Sequence, residues 1–385
     1  MKRLPTLALA GLGLTLALGT LELGLRVLRP RHTGLRGLLY QATLPTDYGR
    51  IGTLRELLDT TVLGYRPLTE EDGYVLNSRG FRTPEYSQAK PAGTLRVVAL
   101  GDSFTFGGVP DAAHWCLRLQ DALATSMGQP AEVLRLAVPG TGPPFYLRLW
   151  ELEGAALRPD AVVVALFVGN DFFDEQDRQG GWRGLVDRAA AASYAARLAR
   201  NLTRLDGAAV RSRGASGPRL FTAGGYELPG RVDRQALPTF SPAAFTEIER
   251  NRMTLCLRSA NVAFAVRLER VVRVLRDLAA SVRRSGARLT VMVIPDEYQV
   301  SHEVAAAAAA AQGASLEDYD LALPQRALAT ALATEGIPMV DLLPAFRDAR
   351  EALYVPRDTH WNAAGHALAS LELASFLQRG SPPAR

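Results

Sequence analysis

The chain has 385 residues, 48% of them hydrophobic and 22% charged, with a formal net charge of +5. That balance excludes disorder and leaves room for one large core, or a core with a sizeable insertion. The positive excess is nearly all arginine, with lysine only at Lys2 and Lys90, and the arginines are scattered among acids. No basic stripe with interleaved aromatics is formed, which argues against nucleic acid as a partner. The two cysteines and five histidines show no metal-ligand spacing, and Cys116 and Cys256 lie in apolar helical stretches as two buried thiols rather than a bridge.

The chain begins with Lys2 and Arg3, then runs without charge from Leu4 to Leu21, close to the roughly 20 residues a membrane-spanning helix needs. Residues 1–30 are therefore expected to be a signal-anchor, in preference to a signal peptide cleaved at Ala17-Leu18-Gly19. Such an anchor would hold the rest of the chain outside the cytoplasm. The arginines that follow, Arg26, Arg29, Arg31 and Arg36, outnumber the charges before the segment and argue for the opposite orientation. Residues 31–90 form a lead-in rich in turn residues, and "NSRGFR" (Asn77 to Arg82) reads as a loop before the first core strand.

Five continuous apolar runs of strand length follow: "LRVVAL" (95–100), "EVLRLAV" (132–138), "AVVVALFV" (161–168), "RLTVMVI" (288–294) and "PMVDL" (338–342). None alternates, as expected of strands covered on both faces, and helical stretches such as "HWCLRLQDALATSM" separate them. Strand and helix in turn predict an α/β fold with a doubly wound parallel sheet over residues 91–380. The long stretch after the third run holds an insertion, residues 172–250, that reads equally as a cap over the site or as surface decoration. It is followed by a long helical stretch at 260–286. The alanine run at 304–312 is a helix by propensity.

In such a sheet the functional groups collect at the carboxyl ends of strands. After the first run comes "GDSFTFGG", where a tight turn into a helix would project Ser103 above the sheet beside free N–H groups. A serine hydroxyl needs a base to become a nucleophile and donors to hold the oxyanion; the plainer alternative is that Ser103 or Asp102 caps the helix. Near the C-terminus "YVPRDTHWNAAGH" offers His360 as that base, with Asp358 two residues earlier to fix its tautomer. His366 is expected to pack or cap, and His32, His114 and His302 have no acidic partner at a suggestive place. Gly140 follows the second run, where its N–H is accessible, and Asn170 follows the third, where its amide can donate; a turn glycine and a local cap are the alternative roles.

Ser103, Gly140, Asn170 and His360, in this order, resemble the four blocks of the SGNH (GDSL) hydrolase family, and the resemblance runs from Asn77 to about Leu377. It implies a three-layer α/β/α, flavodoxin-like fold and no cofactor or metal. By position it implies Ser103 as nucleophile, the Ser103 N–H, Gly140 N–H and Asn170 amide as oxyanion hole, and His360 with Asp358 as the base pair. Three departures stand out: Val168 replaces a glycine of the third block, Arg135 stands where asparagine often opens the second, and Arg357 occupies the usual position of the acid. The "DTHW" form resembles membrane-associated polysaccharide O-acetyltransferases of the same superfamily, which place the Asp-His pair before the serine. The expected activity is hydrolysis of carboxylic esters on envelope glycans or lipids. The alternatives are O-acyl transfer from the same acyl-serine and a non-catalytic scaffold.

Overall fold

The computed structural model describes residues 13, 15–24, 70–71, 74–173, 193, 238–259 and 261–379. Two short strands, β1 (Glu70–Glu71) and β2 (Tyr74–Val75), pair antiparallel. The main sheet follows, with β3 (Leu95–Gly101), β4 (Ala131–Ala137), β5 (Ala161–Phe167), β6 (Arg288–Ile294) and β7 (Met339–Asp341) in the spatial order β4-β3-β5-β6-β7. All four pairings are parallel, with Val97 opposite Val133, Val98 opposite Val162, Val164 opposite Val291 and Met292 opposite Val340. The five expected strands are thus present, in the order typical of flavodoxin-like sheets.

Helices cover both faces, which is why the strand sequences do not alternate. On one face Val97, Ala99, Val163, Ala165 and Met292 pack with Trp115, Leu119 and Leu123 of α2 (Trp115–Met127) and with Ala369 and Leu373 of α10 (Ala363–Arg379). Between them in chain order come α3 (Pro143–Leu152), α4 (Pro242–Met253), α5 (Val262–Arg284), α6 (Glu297–Val300), α7 (His302–Ala311), α8 (Leu323–Thr334) and α9 (Leu343–Asp348), while α1 (Ser103–Phe106) is a single turn after β3. The other face of the sheet packs under α3, α5 and α8. Helix α5 buries Val271, Leu275, Leu278 and Val282 on one stripe, each such side chain contributing about 1.5–3 kcal/mol.

The sheet reverses its winding between β3 and β5, and in sheets of this type ligands bind beyond the carboxyl ends of the strands at that point. Ser103 follows β3 and Asn170 follows β5.

The lead-in is tied firmly to the sheet. Arg96 on β3 is buried, and its guanidinium donates to the carbonyls of Ser87 (2.9 Å), Gln88 (3.0 Å) and Leu157 (2.8 Å) and pairs with Glu132. The "NSRGFR" loop does more than connect: Asn77 Oδ1 accepts from the N–H of Arg79 and of Phe81, both at 3.0 Å, and buried Arg82 donates to the carbonyls of Phe106, Gly107 and Val109. It braces the segment just after Ser103.

The expected insertion proves shorter at its second end than the sequence suggests. Residues 174–192 and 194–237 lie outside the described residues, but Thr239 onward belongs to the core, with Phe245, Glu249 and Met253 of α4 buried at helical spacing. The many charged residues of this helix hid its single buried stripe. The remaining helices fall where expected, α5 at 262–284 and α7 at 302–311, and Cys116 and Cys256 are buried free thiols.

The first compact unit comprises Met1–Tyr65 and Gln176–Ser216, the second the rest. Within the first, residues 15–24 are helical and the Ser193 hydroxyl donates to Glu22 at 2.9 Å. Most of the expected anchor, residues 1–30, lies outside the described residues; among the described residues no helix is long and apolar enough to cross a membrane.

Candidate active site

Strand β3 ends at Gly101, where a Cβ would run into the side chain of Thr105 and Ala165. Asp102 then caps α1: its buried carboxylate accepts the N–H of Phe104 at 3.0 Å. The turn projects Ser103 to a half-buried position above the sheet. The chain leaves α1 through Gly107, whose φ of +81° and contact with the His114 ring both suit the absence of a side chain. The alternatives weighed from sequence therefore divide: Asp102 is the cap and Ser103 is left available.

The loop that carries Asp358 and His360 is built differently. An isolated bridge pairs Tyr354 with Trp361, the Val355 N–H donates to His360 O at 2.9 Å, and the Asp358 N–H to Val355 O at 3.1 Å. Within this tight turn Arg357 and Thr359, on either side of Asp358, have φ of +49° and +72°. Non-glycine residues in this region cost on the order of 1–3 kcal/mol each and persist only where the surroundings over-determine them.

The two regions meet. His360 Nε2 lies 2.8 Å from Ser103 Oγ, and His360 Nδ1 lies 2.6 Å from Asp358 Oδ1. Because a carboxylate accepts only, Nδ1 carries the proton and Nε2 is left to accept from the serine hydroxyl. Burial works to lower the basicity of His360, but the hydrogen bond and charge of Asp358, aided by Asp102, outweigh it and hold the imidazole pKa above its ordinary value. The Asp358 carboxyl also loses by burial and is nonetheless held below the usual range by its bonds to His360 and to Thr239.

Gly140 and Asn170 stand just after the neighbouring strand ends. The Asn170 amide nitrogen donates to Asp102 Oδ2 at 2.8 Å, while its Oδ1 is buried without a hydrogen-bond partner. That bond leaves one N–H of the amide for another acceptor. Asp171 holds the same turn, accepting from the Phe167 N–H (2.9 Å) and from the Tyr146 hydroxyl (3.0 Å). The departure at the third block also has a cause: Val168 is buried, and the glycine is needed one place later, where a Cβ at Gly169 would meet the Asp296 carboxylate and the Phe167 ring. Gly140, after β4, is exposed with φ of +71°. Among the described residues no protein acceptor takes the N–H of Gly140 or of Ser103.

Three features escaped the sequence reading. Thr239, at the return from the insertion, donates its hydroxyl to Asp358 Oδ2. Arg135, at the second block, is a buried strut paired with Asp111 at 3.0 Å. Beside His360 lies a buried acid group, Glu249 and Asp296, with Arg252 at 3.5 and 3.4 Å. Burial raises both carboxyls, and burial with the charges of Asp296 and Asp358 pushes Glu297 up to about 8. The other buried histidines are structural: His114 caps α2 through Cys116 N at 3.1 Å, and His366 accepts from Trp115 N at 3.4 Å. Among the described residues no three His, Cys, Asp or Glu side chains converge as metal ligands would.

Residues 258–385 match a family model described as SGNH hydrolase-like domain, acetyltransferase AlgX. This stretch contains Asp358 and His360 but not Ser103. No curated protein matches the chain. Among solved structures it resembles an acetyl xylan esterase, AlAXEase, at 11% identity and TM-score 0.39 over 74% of this chain and 100% of that one. It also resembles a mutant of Axe2, an acetyl-xylooligosaccharide esterase from Geobacillus Stearmophilus, at 13% and 0.39 over 76% and 96%. A third is a GDSL-like lipase from Bacteroides thetaiotaomicron, at 11% and 0.34 over 74% and 89%.

Proposed function

We propose that the chain is an SGNH-type serine hydrolase of carboxylic esters, with Ser103, His360 and Asp358 as its catalytic residues; the match of residues 258–385 to an SGNH hydrolase-like family model supports this reading. The observation that carries this reading is the placement of His360 between Ser103 Oγ at 2.8 Å and Asp358 Oδ1 at 2.6 Å. His360 Nε2 takes the hydroxyl proton as Oγ bonds to the ester carbonyl carbon. The carbonyl oxygen becomes an oxyanion, for which the Ser103 N–H, the Gly140 N–H and the spare N–H of Asn170 are the donors. Asp358 steadies the imidazolium, which then protonates the departing alkoxide and leaves an acyl-serine. Water, activated in turn by His360, releases the acid.

A second reading shares every step up to the acyl-serine and replaces water by a sugar hydroxyl. The match of residues 258–385 to a model named for an acetyltransferase favours it. Product analysis with an activated acyl ester, with and without glycan acceptors, separates the two: hydrolysis unaffected by acceptor supports the esterase, and acceptor-dependent transfer that far outruns it overturns the esterase. The substrate class that suits both readings is an acylated glycan or lipid of the cell envelope. The uncharged residues 4–21 support an anchored protein with its catalytic domain outside the cytoplasm. Protease digestion of intact and permeabilised cells tests that side.

A further inference from the structure

Asp358 sits in a turn whose backbone is unfavourable on both sides, yet its carboxylate must present one oxygen squarely to His360. The turn is held from outside by the two residues that bring the chain back from the insertion. Thr239 N–H donates to Pro356 O at 3.3 Å, Phe240 N–H to Arg357 O at 2.9 Å, and Arg357 Nε returns a bond to Phe240 O at 2.9 Å. The same two residues lead directly into α4, whose start is capped by Ser241 accepting from Ala244 N at 3.2 Å, so the clamp is anchored in the core. Thr239 itself is buried, and its hydroxyl donates to Asp358 Oδ2, opposite the oxygen that His360 uses.

Resting on the serine-hydrolase reading, we propose that Thr239 is a positioning residue of the reaction: its hydroxyl fixes the Asp358 carboxylate so that Oδ1 faces His360 Nδ1. A carboxylate has two equivalent oxygens and rotates about its last bond; two donors, one on each oxygen, remove that freedom. The serine side needs no such device, since Ser103 is aimed by the strand-to-helix turn itself. A hydroxyl is required at position 239, while the threonine methyl only fills its buried site.

The test compares Thr239→Val, which keeps the shape and removes the donor, with Thr239→Ser, which keeps the donor. An activated nitrophenyl ester reports kcat and KM, and NMR titration of the His360 ring reports its protonation without any substrate. Thr239→Val is expected to lower kcat about ten- to a hundred-fold with KM little changed, as for misplacement of a reacting group. The His360 titration midpoint should fall toward its ordinary value, since Asp102, Asp296, Arg252 and His366 around it are unchanged. Thr239→Ser should stay within about twofold of the parent. Should Thr239→Val fail to fold, Thr239→Ala is read by the same two measurements. An unmoved or raised midpoint, or a wild-type kcat in the folded variant, overturns the proposal. Ser103→Ala is run alongside: if it turns the ester over as the parent does, the serine reading fails, and Thr239 is then judged on the titration midpoint alone.

Discussion

The turn at 101–108 and the loop at 354–362 bring Ser103 and His360 within hydrogen-bond distance of one another by different means. The first is ordinary secondary structure: a buried strand stops at Gly101, Asp102 caps a short helix, and Ser103 is aimed by the geometry of that junction. The second has almost no regular structure, carries left-handed φ at Arg357 and Thr359, and is kept in shape by Thr239 and Phe240 from far along the chain. Ser103 is therefore positioned locally, whereas Asp358 and His360 depend on distant support. Changes around Asp358 should act on both the chemistry and the proton affinity of His360, and changes around Ser103 on the chemistry, except at Asp102, whose charge also raises the His360 pKa.

The largest effect expected from breaking this comparison is the loss of either member of the reacting pair. Ser103→Ala and His360→Ala should each lower kcat on the order of a million-fold, and the double variant little further, because the two act as a unit. Steady-state kinetics on a nitrophenyl ester checks this; additive losses would mean the two residues work separately.

Next in size is Asp358→Asn, expected to cost about ten-thousand-fold in kcat by disturbing the tautomer. It also sharpens the electrostatic side of the comparison. His360 works as a base only when neutral, and its pKa is held above 6.5 by Asp358 and Asp102 against the effect of burial. In the parent enzyme kcat/KM should thus fall on the acid side with its midpoint above 6.5. Removing the charge of Asp358 should move that midpoint to lower pH; an unmoved acid limb would assign it to another group.

A smaller loss, about a hundred- to a thousand-fold in kcat, is expected for Asn170→Ala, typical of one oxyanion donor. Here the His360 titration midpoint should move less than in Asp358→Asn, since Asn170 reaches the imidazole only through Asp102. A large change in that midpoint would make Asn170 a part of the acid–base machinery instead.

The same contrast explains what could be read from sequence. The five strands, the turn at Ser103 and the strand-end positions of Gly140 and Asn170 follow from local pattern, since uninterrupted apolar runs ending in Gly, Asp, Ser or Asn leave few other arrangements. Asp358 and His360 were legible because both lie on one short loop before a helix. Thr239 was not, because its partner is 119 residues away and nothing in "LPTF" distinguishes it from any other turn. Asp296 and Glu249 were hidden for a related reason: their burial against Arg252 depends on how α4 packs, and α4 reads as a charged surface segment.

The central claim, that Ser103 is a nucleophile activated by His360, is tested most directly by covalent capture. The protein is treated with a fluorophosphonate, and the modified residue is located by peptide mass spectrometry. A single adduct on Ser103, lost in His360→Ala at the same reagent concentration, is the predicted result. No adduct on the folded parent protein, or an equal yield of Ser103 adduct without His360, would contradict it.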